Sequence, residues 1–85
     1  MLFLKEKPSN VILAIKKMDK PMYVSEIARR AGVTYVYATH FLSILESIGL
    51  VSFSRRGKFK VVQLTEKGKN IAELIGALKE AEEQA

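Results

Sequence analysis

Cysteine and tryptophan are absent from the 85-residue sequence, and histidine occurs once. The lack of cysteine excludes disulfide bonds and thiolate metal sites, and it favours an intracellular protein. The one histidine, His40, has only Glu46 as a carboxylate on its predicted helix, and Glu46 points elsewhere. Zinc needs about three or four protein ligands. We therefore expect no metal and no other cofactor.

Long apolar runs are also lacking. The N-terminal "MLFLKEKPSN" has four apolar residues, which are too few for the core of a signal peptide or for a membrane span. We expect a cytoplasmic protein without membrane contact. The length and the apolar fraction of 48% suit one small packed domain over residues 1–85.

Catalytic motifs are missing as well. The sequence contains no phosphate-binding glycine loop, no nucleophile with a partner base and no paired carboxylates in a plausible cleft. These absences argue against an enzyme.

The net charge of +5 is unevenly distributed. Residues 1–70 carry thirteen Lys and Arg against five Asp and Glu, whereas residues 71–85 carry one Lys against four Glu. A basic body suits a polyanion-binding surface, although a merely solvated surface is the simpler alternative.

The first part of the chain predicts two helices separated by a short extended piece, residues 22–24. Pro8 is tolerated in a first helical turn and Pro21 prevents continuation, which predicts a helix over 8–18. "SEIARRA" then predicts a compact second helix over 25–31. The apolar residues expected to face inward are Val11, Ile12, Ile15, Ile27, Ala28 and Ala31.

A glycine and a threonine separate this second helix from a third. Gly32 supplies the left-handed residue that ends a helix, and Thr34 is a suitable N-cap for a helix over 34–48. Helix, glycine turn and helix in this spacing form the helix-turn-helix pattern. A projection at 100° per residue predicts an inward stripe of Ala38, Phe41, Leu42, Leu45 and Ile48. Opposite it fall Val36, Thr39, His40, Ser43 and Ser47, with Tyr35 and Tyr37 on the flanks.

The remainder predicts a hairpin followed by a helix. "LVSFS" and "FKVVQL" have strand composition, and "RRGK" between them contains Gly57, which suits a tight turn. Thr65 then caps a helix over about 66–82. Its predicted apolar face consists of Ile71, Leu74, Ile75 and Leu78.

Two stretches and the hairpin between them give the chain a family resemblance. "SEIARRAGVTYVYATHFLSILESIGLV", the basic hairpin and "QLTEKGKNIAEL" together resemble the winged helix-turn-helix domains of MarR/PadR-like transcriptional regulators, especially small archaeal ones. The resemblance implies an α+β fold with a three-helix core, a two-stranded β wing and a C-terminal helix. It also implies a dimeric regulator that binds double-stranded DNA. MarR proteins are longer, with further helices that form the dimer and the ligand cleft, so the existence of a small-molecule effector stays open.

Within that pattern, the predicted helix 34–48 is the recognition helix, which enters the major groove. Hydroxyl groups can bond to base edges and phosphates, and the methyl groups of Val36 and Thr39 can contact thymine methyl groups. Two interpretations of each tyrosine stay open, DNA contact or cover for neighbouring core, and His40 is either a contact or simply exposed. The predicted contacts are Thr34, Tyr35, Val36, Tyr37, Thr39, His40 and Ser43.

A basic wing over residues 54–60 is the second predicted contact. Arg55 and Arg56 fall at its tip, and strand alternation places Lys58 and Lys60 on one face. Such a wing lies on the DNA backbone or in the adjacent minor groove. Arg29 and Arg30 suit the C-terminal end of a helix dipole, and they are also within reach of phosphate.

The last helix, over residues 66–83, is predicted to form a homodimer contact. Its apolar face exceeds what a terminal helix of so small a domain needs, and Leu2 and Leu4 would extend the same surface. A two-fold dimer would hold the recognition helices roughly 34 Å apart on a near-palindrome. The alternative function is a winged-helix protein–protein interaction module that uses the same helix 34–48.

Overall fold

The computed structural model describes residues 5–84, so Leu2 and Leu4 of the predicted dimer contact lie outside the described residues. The elements are α1 (Glu6–Met18), β1 (Met22–Tyr23), α2 (Val24–Ala31), α3 (Tyr35–Ser47), β2 (Val51–Arg56), β3 (Phe59–Leu64) and α4 (Glu66–Gln84). The strands form one antiparallel sheet in the order β1-β3-β2. The predicted α+β winged helix arrangement is confirmed, and the predicted extended piece proves to be a third strand.

Helix α1 begins at Glu6, earlier than the predicted residue 8. Pro8 is its third residue, where a missing N–H removes no helical hydrogen bond because the first four N–H groups have no acceptor within the helix. The hydroxyl of the buried Ser9 donates to the carbonyl of Lys5 at 2.7 Å, which satisfies the one buried polar side chain of this helix. The predicted inward residues Val11, Ile12 and Ile15 are all buried.

Both predicted caps of the helix-turn-helix are present. Gly32 ends α2 with a φ of 71°, and the next N–H, that of Val33, donates to the carbonyl of Ala28 at 3.0 Å. The Thr34 hydroxyl accepts a hydrogen bond from the N–H of Tyr37 at 3.0 Å, so Thr34 is the N-cap of α3. These two local hydrogen-bond patterns set where α2 stops and α3 starts.

The inward face of α3 is as predicted except at its end. Ala38, Leu42 and Leu45 are buried and Phe41 is half-buried, but the prediction for Ile48 was wrong because its side chain is 51% exposed. Helix α3 ends at Ser47, and Ile48 adopts a φ of −102° and a ψ of 8°, so the helical projection no longer applies to it. The buried Leu50 follows instead, with its N–H bonded to the carbonyl of Leu45 at 2.9 Å.

The core lies between one face of the sheet and the four helices, and α4 contributes the fully buried Ala72. Strand β3 is central: Val62 pairs with Met22 of β1 on one side and with Phe53 of β2 on the other. Met22 and Val62 are fully buried against Ile15, Ile27 and Leu42. Burying side chains of this size contributes about 1.5–3 kcal/mol each. Within residues 5–84, no helix is both long and apolar enough to cross a membrane.

The N-terminus of helix α4 is joined to the end of α3. The Thr65 hydroxyl accepts from the N–H of Gly68 at 3.0 Å and donates to the carbonyl of Gly49 at 2.6 Å, so one side chain caps α4 and joins it to the end of α3. Ile71 and Ile75 of the predicted apolar face are half-buried against the core. Leu74 and Leu78 remain 60% and 43% exposed.

Replacing Gly68 by alanine should destabilise the fold. A Cβ atom at Gly68 would overlap the carbonyl oxygen of Leu50, which is backbone and cannot turn aside. We expect Gly68→Ala to lower the free energy of unfolding by about 1–3 kcal/mol or more, measured by urea denaturation. Gly76→Ala is the matched control in the same helix, since its Cβ would meet only side-chain atoms at 3.8 Å. That variant should gain up to about 1 kcal/mol of helix propensity. Equal stability of the two variants would contradict this account of the α4 junction.

Candidate nucleic-acid interface

The wing is a hairpin with a two-residue turn. Arg56 pairs with Phe59, so Gly57 and Lys58 form the turn between β2 and β3. Arg55 pairs with Lys60, and both therefore lie on the same face of the hairpin. Lys58 belongs to this turn, so the strand alternation used to predict a common face for Lys58 and Lys60 does not extend to it.

An open cleft of about 670 Å³ lies between α3 and the wing. Helix α3 contributes Tyr35, Thr39 and Ser43, which share one ridge because they are four residues apart. The wing contributes Arg55, Lys58 and Lys60. Six of the predicted contacts thus line a single concave surface.

The chemistry of this cleft favours anions. None of the described residues that line it is Asp or Glu, whereas three are cations. The Ser43 hydroxyl donates to the carbonyl of Thr39 at 3.0 Å, so it offers no proton to an anion, and the three cations supply the attraction. The Nζ of Lys60 lies 5.3 Å from the ring centroid of Phe53, a cation–π contact worth about 0.5–1 kcal/mol at an exposed site. Uncompensated positive charge in a concave surface focuses attraction on anionic ligands.

The two tyrosines of α3 differ in their surroundings. Tyr35 lines the cleft and is 58% exposed. Tyr37 is half-buried on the other flank, stacked on Phe41 with 5.9 Å between ring centroids and with the Nζ of Lys7 5.7 Å from its ring. Of the two open interpretations, cover for the core therefore fits Tyr37, and a ligand contact fits Tyr35.

Val36 and His40 occupy the outer surface of α3, outside the cleft. Val36 is 77% exposed, and His40 is exposed one turn further along. Ile44 continues the same line along α3, and Ile48 follows just beyond the end of the helix, with side chains that are 44% and 51% exposed. The outer surface of α3 is therefore more apolar than a solvated helix requires. Among residues 5–84, no group of three or more His, Cys, Asp or Glu side chains is placed to hold a metal ion.

Three predicted arginine contacts stand apart from the cleft. The Nε of Arg30 forms an ion pair with Glu26 at 3.3 Å, and neither Arg29 nor Arg30 lines the cleft. Arg56 is exposed next to the turn, on the face of the hairpin opposite to Arg55. Of the two wing arginines, only Arg55 faces α3.

The sequence did not predict five residues that line the cleft, namely Tyr23, Val24, Ser25, Phe53 and Phe59. Tyr23 and Phe59 meet edge to face with 5.8 Å between ring centroids. The pairing of β1 with β3 brings these rings together, and two residues of extended chain gave no signal of it. For Phe59 the sequence did contain a signal of a binding surface, since this apolar residue is flanked by Lys58 and Lys60.

Comparison with known proteins supports the fold. No family model matches the sequence, and no curated protein sequence is similar to it. The AF1382 protein of Archaeoglobus fulgidus is 25% identical and superposes with a TM-score of 0.89 over 96% of this chain and 93% of that one. Sso10a-2, a DNA-binding protein from Sulfolobus solfataricus, is 22% identical with a TM-score of 0.78, covering 89% of this chain and 81% of that one. This chain has the winged helix-turn-helix fold.

The resemblance to MarR proteins extends to this winged-helix fold. The MarR family transcriptional regulator SPO1453 from Silicibacter pomeroyi is 22% identical, with a TM-score of 0.79 over 95% of this chain. The winged helix described here spans 58% of that longer regulator.

Thr34 stabilises α3 whether or not it also contacts a ligand. Removal of its hydroxyl by Thr34→Ala leaves the N–H of Tyr37 without its capping acceptor. We expect this change to lower the free energy of unfolding by about 0.5–2 kcal/mol in a denaturant titration, and Thr34→Ser to preserve it. Thr39→Ala, at an exposed position on the same helix, should shift stability by less than about 0.5 kcal/mol. An equal loss in the two alanine variants would contradict the capping role.

Proposed function

We propose that this protein is a sequence-specific regulator of transcription that binds double-stranded DNA. Helix α3 enters the major groove, and the wing contacts the backbone or the adjacent minor groove. The observation that carries the proposal is the cleft in which the hydroxyl ridge of α3 faces the cations of the wing without any acidic residue among its described lining. The fold shared with a DNA-binding protein and with a transcriptional regulator supports it.

The cleft suits the backbone strand that separates the two grooves. With α3 in the major groove and the wing at the neighbouring minor groove, that strand passes between them. Arg55, Lys58 and Lys60 then contact phosphates, and the Tyr35 and Thr39 hydroxyls donate to phosphate oxygens. Such contacts hold the duplex in position and supply affinity but no sequence information.

Sequence discrimination comes from the outer surface of α3. The exposed Val36 contacts thymine methyl groups, and the exposed His40 contacts base edges. The outward side of α3 carries no Arg or Lys, so bidentate recognition of guanine from this helix is absent. We therefore propose a preference for A·T-rich sites, which also attract cations into a narrow minor groove.

A protein partner on α3 is the second candidate function. The exposed apolar side chains of Val36, Ile44 and Ile48 are the observation that favours it, because exposed apolar residues suit the buried core of a protein interface. A partner bound through these side chains has no reason to displace counterions from the wing, so salt dependence separates the two candidates.

The DNA proposal predicts a steep response to salt. If the three cations of the cleft each neutralise one phosphate, the logarithm of the duplex association constant should fall against the logarithm of salt concentration with a slope of about −2.7 per subunit. Arg55→Ala should reduce the magnitude of this slope by about 0.9 and weaken binding to all duplexes alike. Fluorescence anisotropy of a labelled A·T-rich duplex over a salt series measures both.

Two variants serve as controls. Lys69→Ala removes an equal charge from α4, outside the cleft, and should leave the slope unchanged. His40→Ala should alter the relative affinities for A·T-rich and G·C-rich duplexes and leave the slope of the salt dependence unchanged. A flat salt response of the unaltered protein would exclude the proposed DNA contact and favour the protein partner.

We also propose that α4 joins two copies of the chain into a homodimer. Leu74 and Leu78 are exposed and four residues apart, so they form one apolar ridge, whereas Ile71 and Ile75 already pack on the core. A two-fold axis along this ridge would place two α3 helices roughly one turn of DNA apart.

Light scattering tests the dimer. The unaltered protein should have twice the chain mass, and Leu74→Glu combined with Leu78→Glu should give a folded monomer, because charge on an apolar seam is costly to bury. Glu73→Gln, at an exposed neighbouring position, should leave the mass unchanged. A monomeric mass for the unaltered protein at high concentration would refute the dimer.

A further inference from the structure

The aromatic side chains of the cleft are not explained by duplex binding. Four rings line it, those of Tyr23, Tyr35, Phe53 and Phe59. A duplex presents base edges in its grooves, while the faces of its bases are covered by their neighbours in the stack. A phenyl ring has no hydrogen bond to offer to those edges. The rings therefore indicate a ligand whose aromatic groups have uncovered π faces.

Two of the rings are free to accept such a ligand, and the other two support them. Tyr35 is 58% exposed at the start of α3, Phe59 is 59% exposed at the start of β3, and both line the cleft. Phe59 pairs with Arg56, so its ring leaves the hairpin on the face opposite to Arg55 and Lys60. Tyr23 holds Phe59 by an edge-to-face contact at 5.8 Å between centroids. The Nζ of Lys60 lies over the ring of Phe53. The exposure of two large rings in a cleft that also contains cations has no role in the core of the protein.

The rings and cations alternate along the wing. Lys58 precedes Phe59 and Lys60 follows it, while Arg55 is the cross-strand partner of Lys60. A cationic groove with interspersed aromatic rings is the arrangement by which proteins bind single-stranded nucleic acid, because every base has a π face and every nucleotide has a phosphate. The volume of about 670 Å³ lies within the usual range for ligand clefts.

We infer that this cleft binds unpaired nucleotides of single-stranded nucleic acid, with bases stacked on Tyr35 and Phe59 and phosphates at Arg55 and Lys58. This binding goes beyond duplex recognition, and it uses the ring faces that a duplex leaves untouched. The same cations serve both ligands, so a single strand and a duplex compete for the protein.

The test uses a short oligothymidylate, which cannot pair with itself, beside an oligouridylate of equal length. Tyrosine is the strongest intrinsic fluorophore of this chain because tryptophan is absent, so base stacking on Tyr35 should quench the protein's own fluorescence. Tyr35→Ala and Phe59→Ala should each weaken single-strand binding by about tenfold to a hundredfold. Duplex affinity should fall by less than about threefold in Phe59→Ala, which removes none of the proposed duplex contacts.

Tyr35→Phe is the matched control. It keeps the ring and removes the hydroxyl, so single-strand affinity should persist while the quenching signal decreases. Val36→Ala, at an exposed position outside the cleft, should change neither the single-strand affinity nor the quenching signal. Thermal melting shows whether each variant is folded. If Phe59→Ala is unfolded, the comparison of Tyr35→Ala with Tyr35→Phe decides the test alone.

Three outcomes decide the inference. Binding of either oligonucleotide with loss in Tyr35→Ala and retention in Tyr35→Phe supports it, and the preferred oligonucleotide identifies DNA or RNA as the source. Binding of neither, or equal affinity of Tyr35→Ala and the unaltered protein, overturns it. Failure of duplex binding alone would overturn the proposed regulator and leave the single-strand site standing.

Discussion

The pairing of β1 with β3 is the interaction on which the shape of the functional surface depends. Strand β1 contains only Met22 and Tyr23, and it leads directly into α2. Because Met22 pairs with Val62 and Tyr23 with Val61, the wing is hydrogen-bonded to the chain just before the helix-turn-helix. The burial of Met22 and Val62 holds that pairing in the core. Without it, β3 would lose one of its two hydrogen-bonded neighbours, and the wing would lose its link to the chain just before α2.

Local signals in the sequence predicted most of the elements. Pro21, Gly32 and Thr34 mark helix boundaries by backbone chemistry that acts within a few residues, and the structure confirms those boundaries to within one or two residues. The third strand could not be predicted in the same way. "MYV" has no periodicity of its own, and its pairing partner lies about forty residues further along the chain. The prediction that Ile48 faces inward was wrong for a related reason. A helical projection is valid only as far as the helix extends, and α3 ends at Ser47.

The candidate site was predicted in part, and the missing part is aromatic. Spacing by four along α3 correctly brought Tyr35, Thr39 and Ser43 together, and composition identified the cations of the wing. Which side of the hairpin each cation faces depends on the turn, and the turn begins at Gly57 and includes Lys58. Tyr23, Phe53 and Phe59 come from three separate strands, so only the folded sheet reveals that their rings share a surface with Tyr35. The aromatic chemistry is therefore a property of the tertiary structure.

The junction between α3 and α4 has a mechanical consequence. The Thr65 hydroxyl bonds to the carbonyl of Gly49, the Nζ of Lys67 donates to the carbonyl of Ile48 at 3.1 Å, and Gly68 packs directly on Leu50. These contacts hold the chain after the last turn of α3 tightly against the first turn of α4. A tilt of α4 therefore displaces the C-terminal end of α3. A molecule that binds the far end of α4 and tilts it would change the angle at which α3 meets its ligand.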